Sequence, residues 1–278
     1  MPELPEVETV RRIVEPQLTG RTIEGVDLRR SEVLAHPTAE QFHRMALGAT
    51  FTGAGRRGKY LLFHLDSGDR LVLHLRMTGE LLVAPADLPM EKHTHAVFHL
   101  GDGNQLRYTD VRRFGRFWLL RRDETDTFTG MDKLGPEPFD AGCSAGYLRE
   151  AMGARKRAVK ECLLDQTILA GIGNIYADEI LYAARIYPGR PAATLREADW
   201  QALTESIPFV LDWAIEGNRM TTEEYLAGRG REYRNTPLFN VYGRKGAPCP
   251  RCGTPLERTV IGGRGTCYCP RCQQSEAR

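Results

Sequence analysis

The sequence predicts an α+β fold: an N-terminal antiparallel β-sandwich flanked by helices over 1–125, a helical region over 143–236, and a β-hairpin metal finger over 237–278. Three observations predict it. Short apolar segments broken by turn residues every ten residues or so fill the first part of the chain, which is the rhythm of an antiparallel sandwich or barrel. After a stretch rich in Gly, Pro and Asp at 126–142, which reads as a linker, the apolar period becomes helical. Near the end stand two matching Cys-Pro-Arg-Cys units.

The first helix is predicted over 6–18. Val7, Val10, Val14 and Leu18 make one stripe, Pro5 suits the first turn, the early glutamates suit the positive helix end, and Gly20 stops it. A second helix, over 39–47, opens on a Thr38/Gln41 capping box, turns Phe42 and Met45 inward and ends at Gly48. Strands are predicted over 60–65 and 71–75 around the turn Asp66-Ser67-Gly68-Asp69, and over 96–100, 105–108 and 116–120. Beyond the linker, helices fit 148–152, 158–164 and 175–184. A longer one, capped by Thr194 and Glu197, carries Trp200, Leu203, Ile207, Leu211 and Ile215 on its apolar face and a kink at Pro208. Residues 217–236 are polar and read as irregular.

A content of 41% hydrophobic and 27% charged residues argues against a disordered or fibrous chain. No apolar run approaches the roughly 20 residues of a membrane helix. The acidic start, Met1-Pro-Glu-Leu-Pro-Glu6, lacks the apolar core of a signal peptide, so a cytosolic chain, and a monomer, is the expectation. Net charge is only +2, but over 229–278 ten Lys or Arg face three acids. That segment reads as a phosphate-facing surface or, on charge alone, a solvated tail.

Seven cysteines without a secretory signal point to metal rather than disulfides. Cys249 and Cys252, then Cys269 and Cys272, form two C-x-x-C pairs sixteen residues apart. Four thiolates suit one tetrahedral Zn²⁺ and leave no open position, so this zinc is expected to be structural. Cys267 lies outside the knuckle, and Cys143 and Cys162 read as packed thiols. Between the knuckles a hairpin carries Arg264 at a glycine-flanked tip, suited to a phosphate and equally to a solvated turn. Arg155, Lys156, Arg157 and Lys160 precede one helix, and Asn174 follows a Gly171-Ile-Gly173 turn as the expected cap of the next. Two helices joined by such a turn suggest a helix-turn-helix class element whose N–H groups can face a phosphate, or else an ordinary turn in a bundle.

Together Met1-Pro-Glu-Leu-Pro-Glu6, Arg56-Arg-Gly-Lys59-Tyr, His74-Leu-Arg-Met77-Thr-Gly, Asp110-Val-Arg-Arg-Phe114-Gly, Leu134-Gly-Pro-Glu-Pro, Gly171-Ile-Gly-Asn174-Ile-Tyr and the four-cysteine finger resemble bacterial formamidopyrimidine-DNA glycosylases, in order and over nearly the whole chain. The resemblance implies a two-sheet sandwich, a helix-two-turn-helix domain and a zinc hairpin, with double-stranded DNA carrying oxidised bases or abasic sites as partner. It also implies roles. Pro2, exposed once Met1 is removed, resembles the family's nucleophile, Glu3 its acid/base partner and Glu6 a helper. Lys59 is similar to the lysine credited with proton transfer in β-elimination. Arg264 is similar to the finger arginine of δ-elimination. Met77, Arg112 and Phe114 look like the trio that fills the gap left by a flipped nucleotide. His93, Arg155, Lys156, Asn174 and Tyr242 match residues that hold the backbone or line the cleft; the Arg155 match is the loosest.

The chemistry wants these residue types. A free α-amine, with a pKa near 8, is usefully unprotonated at neutral pH. Proline's secondary amine still makes a cationic Schiff base, which acidifies the sugar C2′ proton. A duplex with a missing base closes unless flexible and aromatic side chains fill the void. The stretch before the finger, 217–234, departs from the family's Gly/Ser-rich lesion-capping loop in its charged and aromatic residues, which leaves the preferred lesion open. Two other readings stand beside this one: an endonuclease VIII-like enzyme for oxidised pyrimidines, whose relatives usually begin Pro-Glu-Gly-Pro, and a damaged-DNA binder without activity.

Overall fold

Helix α1 (Leu4–Leu18) starts where a carboxylate can meet the backbone N–H groups of its first turn. Glu3 is the N-cap, in extended conformation, and shares a reciprocal capping box with Glu6, whose Oε2 accepts from the Glu3 N–H at 2.8 Å. Pro5, in the first turn, has no N–H to lose. Val7, Val10, Val14 and Leu18 are buried along one stripe as their spacing demands, joined by Leu4 and Ile13. Gly20, at φ +81°, takes the chain out of the helix.

The computed structural model describes residues 2–230 and 239–274, which divide into two compact units, 2–132 with 218–230 and 133–217 with 239–274. The first contains nine strands: β1 (Ile23–Leu28), β2 (Leu34–His36), β3 (Phe51–Arg57), β4 (Tyr60–Leu65), β5 (Arg70–His74), β6 (Gly79–Pro85), β7 (Thr94–Leu100), β8 (Asn104–Asp110) and β9 (Arg116–Leu120). They form a four-stranded sheet, β1-β7-β8-β6, and a five-stranded sheet, β2-β9-β5-β4-β3. Every pairing in them is antiparallel except the short β2–β9 contact. Phe51, Phe63 and Phe117 from one sheet, Phe98 and Tyr108 from the other, the stripe of α1 and Phe42 of α2 (Ala39–Ala46) make one buried core. This is the predicted sandwich with its flanking helices.

The strands at 60–65, 70–74 and 116–120 fall close to the expected positions. The sequence reading did not place β1, β3 or β6. β6 is an apolar run without alternation, buried except for Pro85, and β3 is broken by Gly53 and Gly55, so neither shows the period of a half-exposed strand.

The second unit holds α3 (Ala145–Met152), α4 (Val159–Leu163), α5 (Asn174–Ala183), α6 (Glu197–Gly217) and the hairpin β10 (Glu257–Ile261) and β11 (Arg264–Tyr268). Two local expectations are corrected here. Gly173, in extended conformation, is the N-cap of α5, and Asn174 is its first residue. Thr194 lies in a preceding 3₁₀ turn and its hydroxyl donates to Pro191 O, while the Arg196 N–H before α6 is met by Asp199 at 2.7 Å. α6 runs through Pro208 as one continuous helix of 21 residues.

A further correction concerns 217–236, read as irregular. Thr222–Ala227 form helix α7, capped by a Thr221/Glu224 box. It belongs to the sandwich unit, where Tyr225 is buried and its hydroxyl donates to Leu81 O at 2.8 Å. Six residues are too few to display a helical period, and a single aromatic anchor supplies the packing. Of the lesion-capping loop expected over 217–236, the part from 231 onward lies outside the described residues.

Candidate active site and nucleic-acid interface

Pro2 sits directly before α1 and is buried, with Glu3 and Glu6 also buried beside it in sequence and locked together by the capping box. A carboxylate at a helix N-terminus lies in the positive end of the macrodipole. Lys59 follows Gly58, whose φ of +54° turns β3 into β4, and the lysine is buried. Its charge is felt by His74 on β5. Burial first, then the positive charges of Arg76 and Lys59, push the His74 imidazole down to about 3, so it is neutral at ordinary pH. His74 Nδ1 accepts from the Arg76 N–H at 3.0 Å, and its ring meets Tyr60 edge-on.

Met77, Arg112 and Phe114 stand on two neighbouring turns of the same unit, and all three side chains are exposed. Met77 lies in the 75–79 turn closed by Gly79 N–H to Leu75 O at 3.0 Å. A Cβ on Gly79 would lie 2.4 Å from that oxygen, so the turn requires glycine. Arg112 and Phe114 lie in the loop after β8, the guanidinium carbon 4.6 Å from the ring centroid. Beneath both turns is Asp110, wholly buried at 0% exposure. Its Oδ1 accepts from Thr78 Oγ1 and from the Arg112 N–H, and its Oδ2 from the Tyr108 hydroxyl and the Gly115 N–H. Burial would raise this carboxyl, but the four donors hold it below the usual carboxylate range. His93 is half-buried; His95 is buried and its Nε2 is 2.8 Å from Asp110 O. Sequence reasoning singled out neither Asp110 nor Thr78; the Thr-Gly after Met77 and the Asp before Arg112 and Phe114 were the available signal.

In the second unit Asn174 Nδ2 donates to Gly265 O at 3.1 Å, beside exposed Arg264 on the hairpin. Asn174, Tyr242, Lys245 and Arg258 line a groove of about 360 Å³. Glu179 of α5 fixes the backbone of Tyr242 by accepting from the Val241 and Tyr242 N–H groups at 2.8 and 2.9 Å. Arg155 and Lys156 are exposed on the turn before α4. Lys160, unassigned from sequence, is 0% exposed and ion-paired with Asp178 at 2.6 Å, with its Nζ also reaching Thr266 Oγ1 at 2.8 Å and Gly265 O at 3.2 Å. Asp178 accepts from the Cys267 N–H at 2.9 Å. Thus α4 and α5 grip the strand that carries Arg264.

The sulfur atoms of Cys249, Cys252, Cys269 and Cys272 all lie within 4.8 Å of one another. The Cys249–Cys272 and Cys252–Cys269 sulfurs are 3.9 and 3.5 Å apart. A tetrahedron with Zn–S bonds of about 2.3 Å has edges of about 3.8 Å, so the donor set fits one Zn²⁺ with no position left open. Cys267 is outside the cluster. Cys143 and Cys162 are buried thiols, and burial pushes Cys143 up to about 11, as inert packed groups require.

Known proteins align with this architecture throughout. Residues 1–117 match the formamidopyrimidine-DNA glycosylase N-terminal domain, 134–225 the H2TH domain of the same family, and 246–274 the zinc finger found in FPG and IleRS. The chain is 45% identical to the formamidopyrimidine-DNA glycosylase of Desulforamulus reducens over 277 residues, covering 99% of this chain and 100% of that one. With the enzyme of Geobacillus kaustophilus it shares 46% over 275 residues, 99% and 100% of the two chains. Among solved structures, a Lactococcus lactis formamidopyrimidine-DNA glycosylase bound to DNA containing an abasic site superposes with a TM-score of 0.86, at 36% identity over 98% and 99% of the chains. A complex of the Lactococcus lactis protein with Fapy-dG DNA gives 0.87, at 37% identity over 98% and 100%. This chain belongs to the formamidopyrimidine-DNA glycosylase family.

Proposed function

We propose that the chain is a bifunctional DNA glycosylase and AP lyase of base excision repair, removing 8-oxoguanine and formamidopyrimidines from duplex DNA through a Schiff base on Pro2. Full-length relatives carry the glycosylase name, and the family includes complexes with abasic and Fapy-dG DNA. The observation that carries the assignment of roles is the arrangement at the start of α1: a buried imino residue followed at once by two buried, mutually capped glutamates. In this reading the Pro2 nitrogen attacks C1′, and the damaged base leaves with the electron pair of the glycosidic bond. The C1′–O4′ bond then opens to an iminium, with Glu3 protonating O4′. Glu6 holds Glu3 in place. The iminium draws electron density from C2′. Loss of a C2′ proton, assisted by Lys59, expels the 3′ phosphate, and δ-elimination, assisted by Arg264, expels the 5′ phosphate.

Met77, Arg112 and Phe114 fill the space of the extruded nucleotide; His93, Arg155, Lys156, Asn174 and Tyr242 bind the DNA, holding its backbone or lining its path. Bound zinc, held by Cys249, Cys252, Cys269 and Cys272, supplies a structural crosslink for the hairpin. Among the described residues no helix is long and apolar enough to cross a membrane. The proposed setting is a monomer at work on DNA in the bacterial cytoplasm and nucleoid.

Borohydride trapping on duplexes containing an abasic site, 8-oxoguanine or a formamidopyrimidine tests the reading. A covalent adduct is expected from the unaltered protein, falling on the order of a hundredfold or more in Pro2→Gly. Mass spectrometry should find Met1 removed. Binding without an adduct would mean a damage-binding protein; activity on thymine glycol alone would mean the pyrimidine branch.

A further inference from the structure

The turns bearing Met77 and Arg112–Phe114 each contain a non-glycine residue in the left-handed region next to a wedge side chain. Arg76 is at φ +54° before Met77, and Arg113 at φ +58° before Phe114. Such conformations are strained for arginine and persist only where the surroundings hold them. Hydrogen bonds from the two turns to Thr78 and Asp110 hold them. The Arg112 N–H is shared by Thr78 Oγ1 and Asp110 Oδ1, each 3.1 Å away. The Gly115 N–H, on the far side of Phe114, is bound by Asp110 Oδ2 at 2.9 Å. Gly115 itself admits no side chain, since a Cβ would fall 1.9 Å from the Tyr108 hydroxyl and 2.9 Å from His74 O. Thr78 donates to Asp110 from the other turn. Gly79 and Asp110 are register partners at the ends of β6 and β8.

We infer that Asp110 and Thr78 are positioning residues that join the two turns into one rigid wedge, so that Met77, Arg112 and Phe114 enter a duplex together. This rests on the glycosylase reading of the previous subsection. A wedge that had to be ordered during insertion would spend part of its contact energy on fixing the backbone. One pinned by a four-donor carboxylate arrives already shaped. The carboxylate touches no DNA; it acts through the backbone of Arg112 and Gly115. Because the wedge matters only when a base must leave a stacked duplex, its loss should spare chemistry on a sugar that is already open and unpaired.

Thr78→Val keeps the volume and removes only the hydroxyl bridge, with Thr78→Ser as the conservative control. On 8-oxoguanine duplexes, kcat/KM for base release should fall about tenfold in Thr78→Val and recover in Thr78→Ser. Borohydride trapping on a single-stranded abasic oligonucleotide should stay within about twofold of the unaltered protein. A fluorescent base analogue placed opposite the lesion should report slower wedge entry in Thr78→Val, with the thermal midpoint lowered by no more than about ten degrees, so that the protein stays folded at the assay temperature. Asp110→Asn, which turns an amide toward at least one N–H donor, should show the same split more strongly if it folds. Equal losses on duplex and single strand, or full duplex activity in Thr78→Val, would overturn the inference. Absence of any adduct from the unaltered protein would instead overturn the glycosylase reading, and the inference with it.

Discussion

The sandwich and the zinc hairpin solve the problem of rigidity in opposite ways. The sandwich buries large aromatic and aliphatic side chains from two sheets and three helices in one continuous core, and apolar burial of that extent is sufficient to hold a domain. The hairpin has no such resource. β10 is exposed or half-exposed along its length, and the cluster beneath the hairpin is Tyr182, Val241, Leu256 and cysteines. Its order comes from point attachments: four thiolates on a metal, and the buried Lys160–Asp178 pair gripping β11. Each solution suits its load. The sandwich holds the turns of Met77, Arg112 and Phe114 through a polar network laid over a hydrophobic floor. The hairpin presents Arg264 from a minimal scaffold whose failure points are few and chemical.

The largest break in this contrast should come from removing the metal. Chelation of Zn²⁺ withdraws on the order of 10 kcal/mol of folding energy in small zinc modules. Hydrogen exchange over 257–268 should then rise toward that of an unfolded chain and lesion-DNA affinity should collapse, while the amides of β4, β5 and β9 stay protected. Equal deprotection of both regions would deny their independence.

A smaller break should come from Lys160→Met. Asp178 would remain buried without its cation, at a cost of about 3–5 kcal/mol. Burial already pushes that carboxyl up to about 6 against the pull of Lys160. The double variant Lys160→Met with Asp178→Leu should recover most of the loss, since a well-packed apolar pair is often as stable as a buried ion pair. Denaturant unfolding of the three proteins measures this, and no difference between single and double variants would refute it.

The sandwich should show a different signature, a dependence on pH. His74 is held neutral, its folded-state value of about 3 lying below the unfolded value of about 6.5. The unfolded chain therefore takes up the proton first. The contribution is complete above about pH 6.5 and is lost as pH falls toward 3, worth at most on the order of a few kcal/mol. Between about pH 6.5 and 4.5, above the range where ordinary carboxylates titrate, this term lowers the thermal midpoint. Asp178 of the other unit, raised to about 6, acts in the opposite sense and is common to the unaltered protein and the His74 variant, so the comparison of their slopes isolates His74. In His74→Asn, whose amide oxygen can still accept from the Arg76 N–H, the slope should flatten. An unchanged slope would remove His74 as its cause.

Much of this molecule was legible before any coordinates. The stripe of α1, the Thr38 cap, the strands with flanking turns and the two cysteine knuckles are all written within a few residues of one another, because helix period, capping and chelate spacing are local physics. The order of motifs along the chain identified the family for the same reason. What lay beyond reach was the meeting of distant polar groups. Thr78 and Asp110 are 32 positions apart and meet because β6 and β8 pair with Gly79 opposite Asp110. Lys160 finds Asp178 and Thr266 only once α4, α5 and β11 are packed. Asn174 turned out to serve Gly265 on β11 instead of capping its own helix. A sequence states where apolar surface and turn chemistry fall; strand register and helix packing decide which buried donor meets which acceptor, since a shift of one residue would send each side chain to the opposite face.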